Sequence, residues 1–194
     1  SEGGLTVSVD PRNGSIQKLQ ADDTQLNIFQ EDKVSLSPID KDFIYSAEGG
    51  AVPVTSNSQF LGTIASIPGQ YGISLNPESF ASFGTAKYFT DKNNGVVLKF
   101  VGNQIQQISN VGMSDFFRDA LKSASKAIGS YDEYHSQYTL TLQGTCYNSN
   151  SDTNVATASD GYLTVSFDEA TGGWGSFKSY NPEVALSLNN TFYS

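Results

Sequence analysis

Residues 69–110 read GQYGISLNPESFASFGTAKYFTDKNNGVVLKFVGNQIQQISN, and this stretch decides the fold. Two runs rich in apolar and aromatic residues, 87–90 and 96–100, flank a polar segment that ends in Asn94-Gly95. An Asn-Gly pair between two such runs is typical of a β-hairpin, because the turn needs positive φ. A Gly-Asn turn then leads into a third apolar run, 105–108. The pattern predicts a three-stranded antiparallel meander with Gly95 at positive φ.

Similar strand-turn-strand patterns occur on both sides of this meander. Short alternating or apolar runs between polar turns predict further strands at 5–9, 15–19, 26–29, 34–36, 43–45, 137–142, 162–167 and 174–177. The 12 Phe and 10 Tyr residues also favour sheet. We therefore expect an all-β protein built from antiparallel meanders.

One segment has helical periodicity instead. Apolar side chains, among them Phe116 and Phe117, recur at three- and four-residue spacing through 114–128. Ser114 is predicted to cap the N-terminus of this helix and Gly129 to end it. A single helix among many strands predicts an insertion between sheets.

Four of the predicted hairpins share one layout, in which a strand, an aspartate and about four turn residues precede the next strand. The aspartates are Asp10, Asp91, Asp132 and Asp168. An aspartate that opens a turn can accept hydrogen bonds from backbone amides two residues on, so its recurrence needs no catalytic role. A period of about 40 residues with short antiparallel strands is typical of propeller blades. The sequence thus predicts a β-propeller or a propeller fragment, with a β-sandwich as the structural alternative.

The charge of the chain disfavours nucleic acid as a partner, and its hydropathy disfavours a membrane span. The chain has 20 acidic and 11 basic residues, which gives a net charge of −9. This acidity repels phosphate backbones, so we expect no tight nucleic-acid binding. The sequence also lacks an apolar run near the ~20 residues that span a bilayer, so we expect no membrane span.

The residue patterns predict no catalytic or metal site. Cys146 is the only cysteine and His135 the only histidine, which leaves no zinc-ligand cluster. Residues 91–95 resemble a calcium loop in part, but they lack its alternating oxygen ligands and its distal glutamate. The acidic pairs Asp22-Asp23 and Glu31-Asp32 fall in predicted turns, where solvated charge is the default. We expect no catalytic residue, metal or cofactor.

One turn resembles a motif of a known enzyme class. Ser166-Phe167-Asp168 with Trp174 resembles the Asp-box of sialidase-type propellers, although Ala170 stands where that motif has glycine. The resemblance implies a structural turn, since sialidase catalysis uses three arginines elsewhere. Arg12 and Arg118 are the only arginines in this chain, so it cannot be a complete sialidase.

Several short segments carry a wider resemblance. They are YGIS at 71–74, NPESF at 76–80, YFTDK at 88–92, GMSDFF at 112–117, GSYD at 129–132, GWGSF at 173–177 and PE at 182–183. In this order, from about Leu26 to the C-terminus, they resemble structural tail proteins of large bacteriophages, including crAss-like phages and marine myophages. Lys99 stands where arginine is expected in that family.

The resemblance implies a non-enzymatic virion structural protein of the nozzle or muzzle type, which scaffolds the DNA-ejection conduit of the tail. Its partners would be other tail proteins and further copies of itself around the tail axis. Residues 1–194 would form a single β-propeller-like domain within a longer chain. Phe116, Phe117, Trp174 and Tyr180 are candidate interaction residues.

Two other functions remain open from the sequence. A tail-tip module could bind a host surface glycan by stacking sugars on Tyr147, Tyr162, Trp174 or Tyr180. A glycan-cleaving enzyme is the third alternative, and the missing arginines disfavour it.

Overall fold

The computed structural model describes residues 7–39, 43–45, 51–53, 61–144, 161–188 and 191–194. Within these ranges the chain is mostly strand and has one α-helix, α1, Ser114–Ser123. The strands are β1 Ile16–Ala21, β2 Gln25–Gln30, β3 Val34–Pro38, β4 Phe43–Tyr45, β5 Ala51–Pro53, β6 Ala65–Ser66, β7 Ala81–Phe83, β8 Ala86–Asp91, β9 Val96–Val101, β10 Gln104–Gln107, β11 Lys126–Asp132, β12 Gln137–Gln143, β13 Tyr162–Asp168, β14 Gly173–Lys178, β15 Leu186–Leu188 and β16 Thr191–Tyr193. The predicted all-β class is confirmed.

Most of these strands belong to three open, four-stranded antiparallel sheets. Sheet 1 has the order β1-β2-β3-β6, and the β4-β5 hairpin is inserted between its third and fourth strands. Sheet 2 is the meander β7-β8-β9-β10, and sheet 3 is the meander β11-β12-β13-β14. The pair β15-β16 forms a two-stranded hairpin. The predicted central meander is thus confirmed, with β7 added at its edge.

Sheet 2 lies between the other two sheets and buries apolar side chains on both faces. Because side chains alternate along a strand, Phe89 and Leu98 point to sheet 1, whereas Tyr88 and Val97 point to sheet 3. Phe89 and Leu98 pack with Phe29 and its neighbours on sheet 1. Burial on both faces explains why the run in β9 is almost continuously apolar.

The first strands of sheet 2, sheet 3 and the C-terminal hairpin lie side by side. β11 contacts both β7 and β15. Ser187 in β15 fixes the last contact, because its Oγ donates to the backbone oxygen of Tyr131 at 2.8 Å. The order along the molecule is therefore sheet 1, sheet 2, sheet 3 and the β15-β16 hairpin, an arrangement compatible with a propeller fragment and with sandwich-like layers.

The helix is shorter than predicted. It ends at Ser123, and Lys126–Asp132 forms β11, which pairs along its length with β12. Gly129 lies opposite Leu140 within that pair and does not end the helix. Ser114 is the first helical residue, and its predecessor Met113 makes no side-chain capping bond. The helical spacing does continue towards residue 128, but strand pairing outweighs this local preference.

The predicted hairpin around Asp10 is wrong. Residues 7–10 are in no strand, and β1 pairs with β2 instead. Asp10 precedes a short 3-10 turn, and its Oδ1 accepts from the backbone N–H of Arg12 at 2.9 Å. Residues 5 and 6 of the predicted strand lie outside the described ranges. The other three aspartates, Asp91, Asp132 and Asp168, are each the last residue of a strand that pairs with the next one.

Gly95 closes the β8-β9 turn next to the helix. Its φ is +68°, and a Cβ at this position would lie 2.9 Å from the Cα of Arg118. We expect Gly95→Val to lower the free energy of unfolding by about 1 kcal/mol or more, measured by urea denaturation. Gly102→Val is the control, because Gly102 has φ +56° but has open space around it. Equal losses in both variants would contradict a role for the helix contact.

Candidate functional site

The carboxylates of the turn aspartates accept hydrogen bonds from backbone N–H groups. Asp91 is buried and accepts from the backbone N–H groups of Gly72 at 3.1 Å and Asn94 at 3.0 Å. Asp168 accepts from the N–H groups of Ala170 at 2.8 Å and Thr171 at 3.0 Å. The Thr171 N–H and the Gln137 amide hold the pKa of Asp168 below its ordinary value.

Asp132 and the single histidine form a pair in the β11-β12 turn. Oδ1 of Asp132 accepts from the backbone N–H of His135 at 3.1 Å, and Oδ2 lies 2.7 Å from Nδ1 of the ring. The histidine side chain is 61% exposed. In the described part of the chain, no group of three or more His, Cys, Asp or Glu side chains could hold a metal ion. Cys146 lies outside the described ranges.

The junction between sheets 1 and 2 contains a buried ion pair. Nζ of Lys87 lies 2.8 Å from Oδ2 of Asp22, and the lysine side chain is only 3% exposed. Asn27 donates to the same carboxylate oxygen at 2.9 Å. Burial works to raise the pKa of Asp22, but the bonds from Lys87 and Asn27 outweigh it, so this pKa lies below its ordinary value. Asp22 is thus a structural partner and differs from the solvated turn residue that was expected.

A polar cleft opens beside this pair. Its volume is about 630 Å³, and it lies between turns of sheets 1 and 2. Its lining includes Asp22, Asp23, Thr85, Lys87 and Asn103. Since Asp22 is already engaged by Lys87, the two adjacent carboxylates do not form a free acid-base pair.

The junction between sheets 2 and 3 is built on tyrosines. The rings of Tyr131, Tyr88 and Tyr138 stack in that order, with centroid separations of 5.5 and 5.0 Å. The hydroxyl of Tyr88 donates to Glu169, which also accepts from Nζ of Lys99 at 2.6 Å. Desolvation and then Glu169 raise the pKa of Tyr88, so its hydroxyl stays protonated. The junction therefore joins an aromatic stack to one charge-assisted network.

Three of the four candidate interaction residues meet at the junction of the helix with sheet 3. Phe117 is fully buried, and its ring lies 4.3 Å from that of Trp174. Trp174 also packs 5.3 Å from Phe167, and its Nε1 donates to the backbone oxygen of Ile108 at 2.9 Å. Phe116 is half-buried against this group. The indole of Trp174 is thus used for packing within the chain.

The remaining aromatic candidates lie elsewhere. The ring of Tyr180 is 6.4 Å from that of Phe192 in the β15-β16 hairpin. The hydroxyl of Tyr162 donates to the backbone oxygen of Ser179 at 2.8 Å. Tyr147 lies outside the described ranges. Of the three described candidates for glycan stacking, Trp174 packs against the helix, whereas Tyr162 bonds to Ser179 and Tyr180 lies beside Phe192.

The β15-β16 hairpin is a surface that the sequence patterns did not single out. Leu186, Leu188 and Tyr193 are each at least half exposed there, as is Val184 just before β15. The alternation in the C-terminal residues 184–193 could have indicated it. Among the described helices, none is long and apolar enough to cross a membrane.

Comparison with known proteins gives one family. Residues 5–194 match the family model described as the Crassvirus muzzle protein. No curated protein matches the chain at a significant level. The family match includes all three sheets, the helix and the C-terminal hairpin, and it confirms the resemblance to tail proteins of crAss-like phages. The chain belongs to the Crassvirus muzzle protein family and is a structural component of the phage virion tail.

Proposed function

We propose that the chain is a non-enzymatic scaffold of the DNA-ejection conduit, formed as one propeller-like domain over residues 1–194. The observation that carries this proposal is the succession of four-stranded antiparallel sheets stacked face to face, in a chain of the muzzle family. The first strands of sheets 2 and 3, β7 and β11, lie side by side, as those of neighbouring blades do. A scaffold of this kind works by shape and stiffness.

The sheet junctions support a rigid scaffold. Each junction combines a buried apolar cluster with a lysine-carboxylate pair, Lys87 with Asp22 on one side and Lys99 with Glu169 on the other. In each pair the carboxylate and the ammonium group bind one another across the junction. This use of the charged side chains supports a structural role over a catalytic one.

The acidic composition suits a wall past which DNA must move. A net charge of −9 repels the phosphate backbone, so a conduit lined by this chain would not retain DNA. The other candidate role, glycan binding, has less support, because Trp174 already packs between Phe117 and Phe167.

A DNA-binding measurement tests the conduit role. We expect fluorescence anisotropy of a labelled duplex to show no binding by the purified chain at about 0.15 M salt. Lowering the salt should not produce binding, since the interaction is repulsive. A tight complex at physiological salt would overturn the proposal for a non-adhesive wall.

A second measurement tests whether the chain acts in the particle. Cross-linking and peptide mass spectrometry of purified virions should find this chain linked to other tail proteins. A chain that is absent from particles, or that hydrolyses a host polysaccharide when purified, would contradict a structural role.

A further inference from the structure

The junction between sheets 1 and 2 brings an amine, a carboxylate and a carboxamide together. Oδ2 of Asp22 accepts from Nζ of Lys87 at 2.8 Å and from Nδ2 of Asn27 at 2.9 Å. The lysine belongs to β8 of sheet 2, whereas the asparagine belongs to β2 of sheet 1. A single carboxylate oxygen is therefore bonded to an amine nitrogen of one sheet and to an amide nitrogen of the other.

The lysine and the asparagine are both shielded from water. Asn27 is fully buried and Lys87 is 2% exposed, with Nζ 5.7 Å from the centroid of the Phe100 ring. Oδ1 of Asn27 is buried as well, and it has no hydrogen-bond partner among the described residues. An unbonded buried acceptor is rare in folded proteins. Here it belongs to the carbonyl group that an amine would attack.

We propose that Lys87 and Asn27 form an intramolecular isopeptide bond, which links sheet 2 to sheet 1 covalently. The lysine supplies the nucleophile, the side-chain carbonyl carbon of the asparagine is the electrophile, and Asp22 moves the protons. A base within hydrogen-bond reach of an amine activates it for attack. The fold holds the three groups together, so the reaction is intramolecular and needs no enzyme.

The reaction balances without an oxidant or a cofactor. A bond forms between Nζ of Lys87 and Cγ of Asn27, and the bond between Cγ and Nδ2 breaks. Asp22 passes two protons in turn from Nζ to Nδ2, because its Oδ2 is bonded to both nitrogen atoms. The products are a secondary amide and one ammonium ion.

The first proton transfer makes the reaction slow. It converts the ion pair into a neutral amine beside a neutral acid, which is a minor state of the pair. Before the link forms, Lys87 and Asp22 are an ion pair, and stability comparisons with Asp22 variants use this unlinked form. The link goes beyond the scaffold role and does not depend on it, although it would add a covalent tie to one sheet junction.

Peptide mass spectrometry after prolonged incubation of the purified, folded chain tests the link. Trypsin cannot cleave after a lysine whose amine is acylated, so residues 42–92 should remain one peptide, joined to the peptide of residues 19–33. This branched peptide should be lighter than its two parts by the mass of one ammonia molecule. Fragmentation should place the branch between Asn27 and Lys87. Absence of the branched peptide would overturn the proposal.

Three variants separate the roles, and circular dichroism checks that each is folded. Lys87→Arg keeps the positive charge without the amine, and Asp22→Asn keeps the size without the base, so neither should give the branched peptide. Lys99→Arg is the matched control and should still give it, because Lys99 pairs with Glu169, which bonds the hydroxyl of Tyr88 instead of a carboxamide.

Two further results would contradict the assignment. A branched peptide that is lighter by one water molecule, with the branch at Asp22, would show that the carboxylate reacts and the carboxamide does not. Formation of the link in Asp22→Asn at an unchanged rate would rule out Asp22 as the group that moves the protons. Neither result depends on whether the chain acts in the tail.

Discussion

Gly129→Ala is expected to lower the free energy of unfolding by about 3 kcal/mol or more. A Cβ at this position would lie 1.9 Å from the backbone oxygen of Ser79 and 2.9 Å from the hydroxyl of Tyr138. Ser79 is buried, and its oxygen already accepts a 2.7 Å bond from that hydroxyl. The added methyl group would therefore force the backbone before sheet 2 away from β11 and break this bond.

Urea denaturation followed by circular dichroism measures the loss. Gly173→Ala is the matched control, because Gly173 is also in a strand and its nearest neighbour is the hydroxyl of Thr171 at 4.0 Å. We expect the control to change stability by less than about 1 kcal/mol. Unfolding midpoints that coincide for the two variants would show that β11 does not approach Ser79 this closely.

Asp22→Ala is expected to destabilise the protein by about 3 kcal/mol, because it leaves the ammonium group of Lys87 buried without its partner. With 3% of its side chain exposed, Lys87 is almost completely shielded from water in the folded protein. The double variant Asp22→Ala with Lys87→Met should regain most of the loss, since a methionine of similar length fills the site without charge. Asp23→Ala, an exposed neighbour in the same turn, is the control.

The same pair predicts a pH dependence. The pKa of Asp22 is lowered in the folded protein, so its contribution is complete above the pKa of the unfolded chain and is lost as pH falls through the folded value. The stability difference between the unchanged chain and Asp22→Ala should therefore shrink below about pH 4. A difference that stays constant from pH 7 down to pH 3 would contradict the charge pair.

Local patterns were sufficient for those parts of the fold that depend on neighbouring residues. The Asn94-Gly95 pair specifies a turn through its backbone preference, and the runs on either side of it form β8 and β9. The short run at 43–45 was also predicted with the observed bounds. In these cases the partner strand or the turn lies within a few residues.

Other features depend on residues far apart in sequence, and local patterns did not indicate them. Gly129 was interpreted as the end of a helix, although a close approach to Ser79 requires a glycine there. Lys87 and Asp22 are 65 residues apart, so nothing near either residue indicates the pair. Alternation at 5–9 predicted a strand, but alternation alone cannot show whether a partner strand exists.

Trp174 provides an intrinsic fluorescence probe of one contact in the protein. It is the only tryptophan of the chain, and its indole contacts Phe117 of the helix and Phe167 of sheet 3. Its fluorescence therefore reports on the contact between the helix and sheet 3, whereas the circular dichroism signal averages over all of the sheets. If the fluorescence signal changes at lower denaturant than circular dichroism, the helix detaches before the sheets unfold. If the two transitions coincide, the helix contact and the sheets unfold as one cooperative unit.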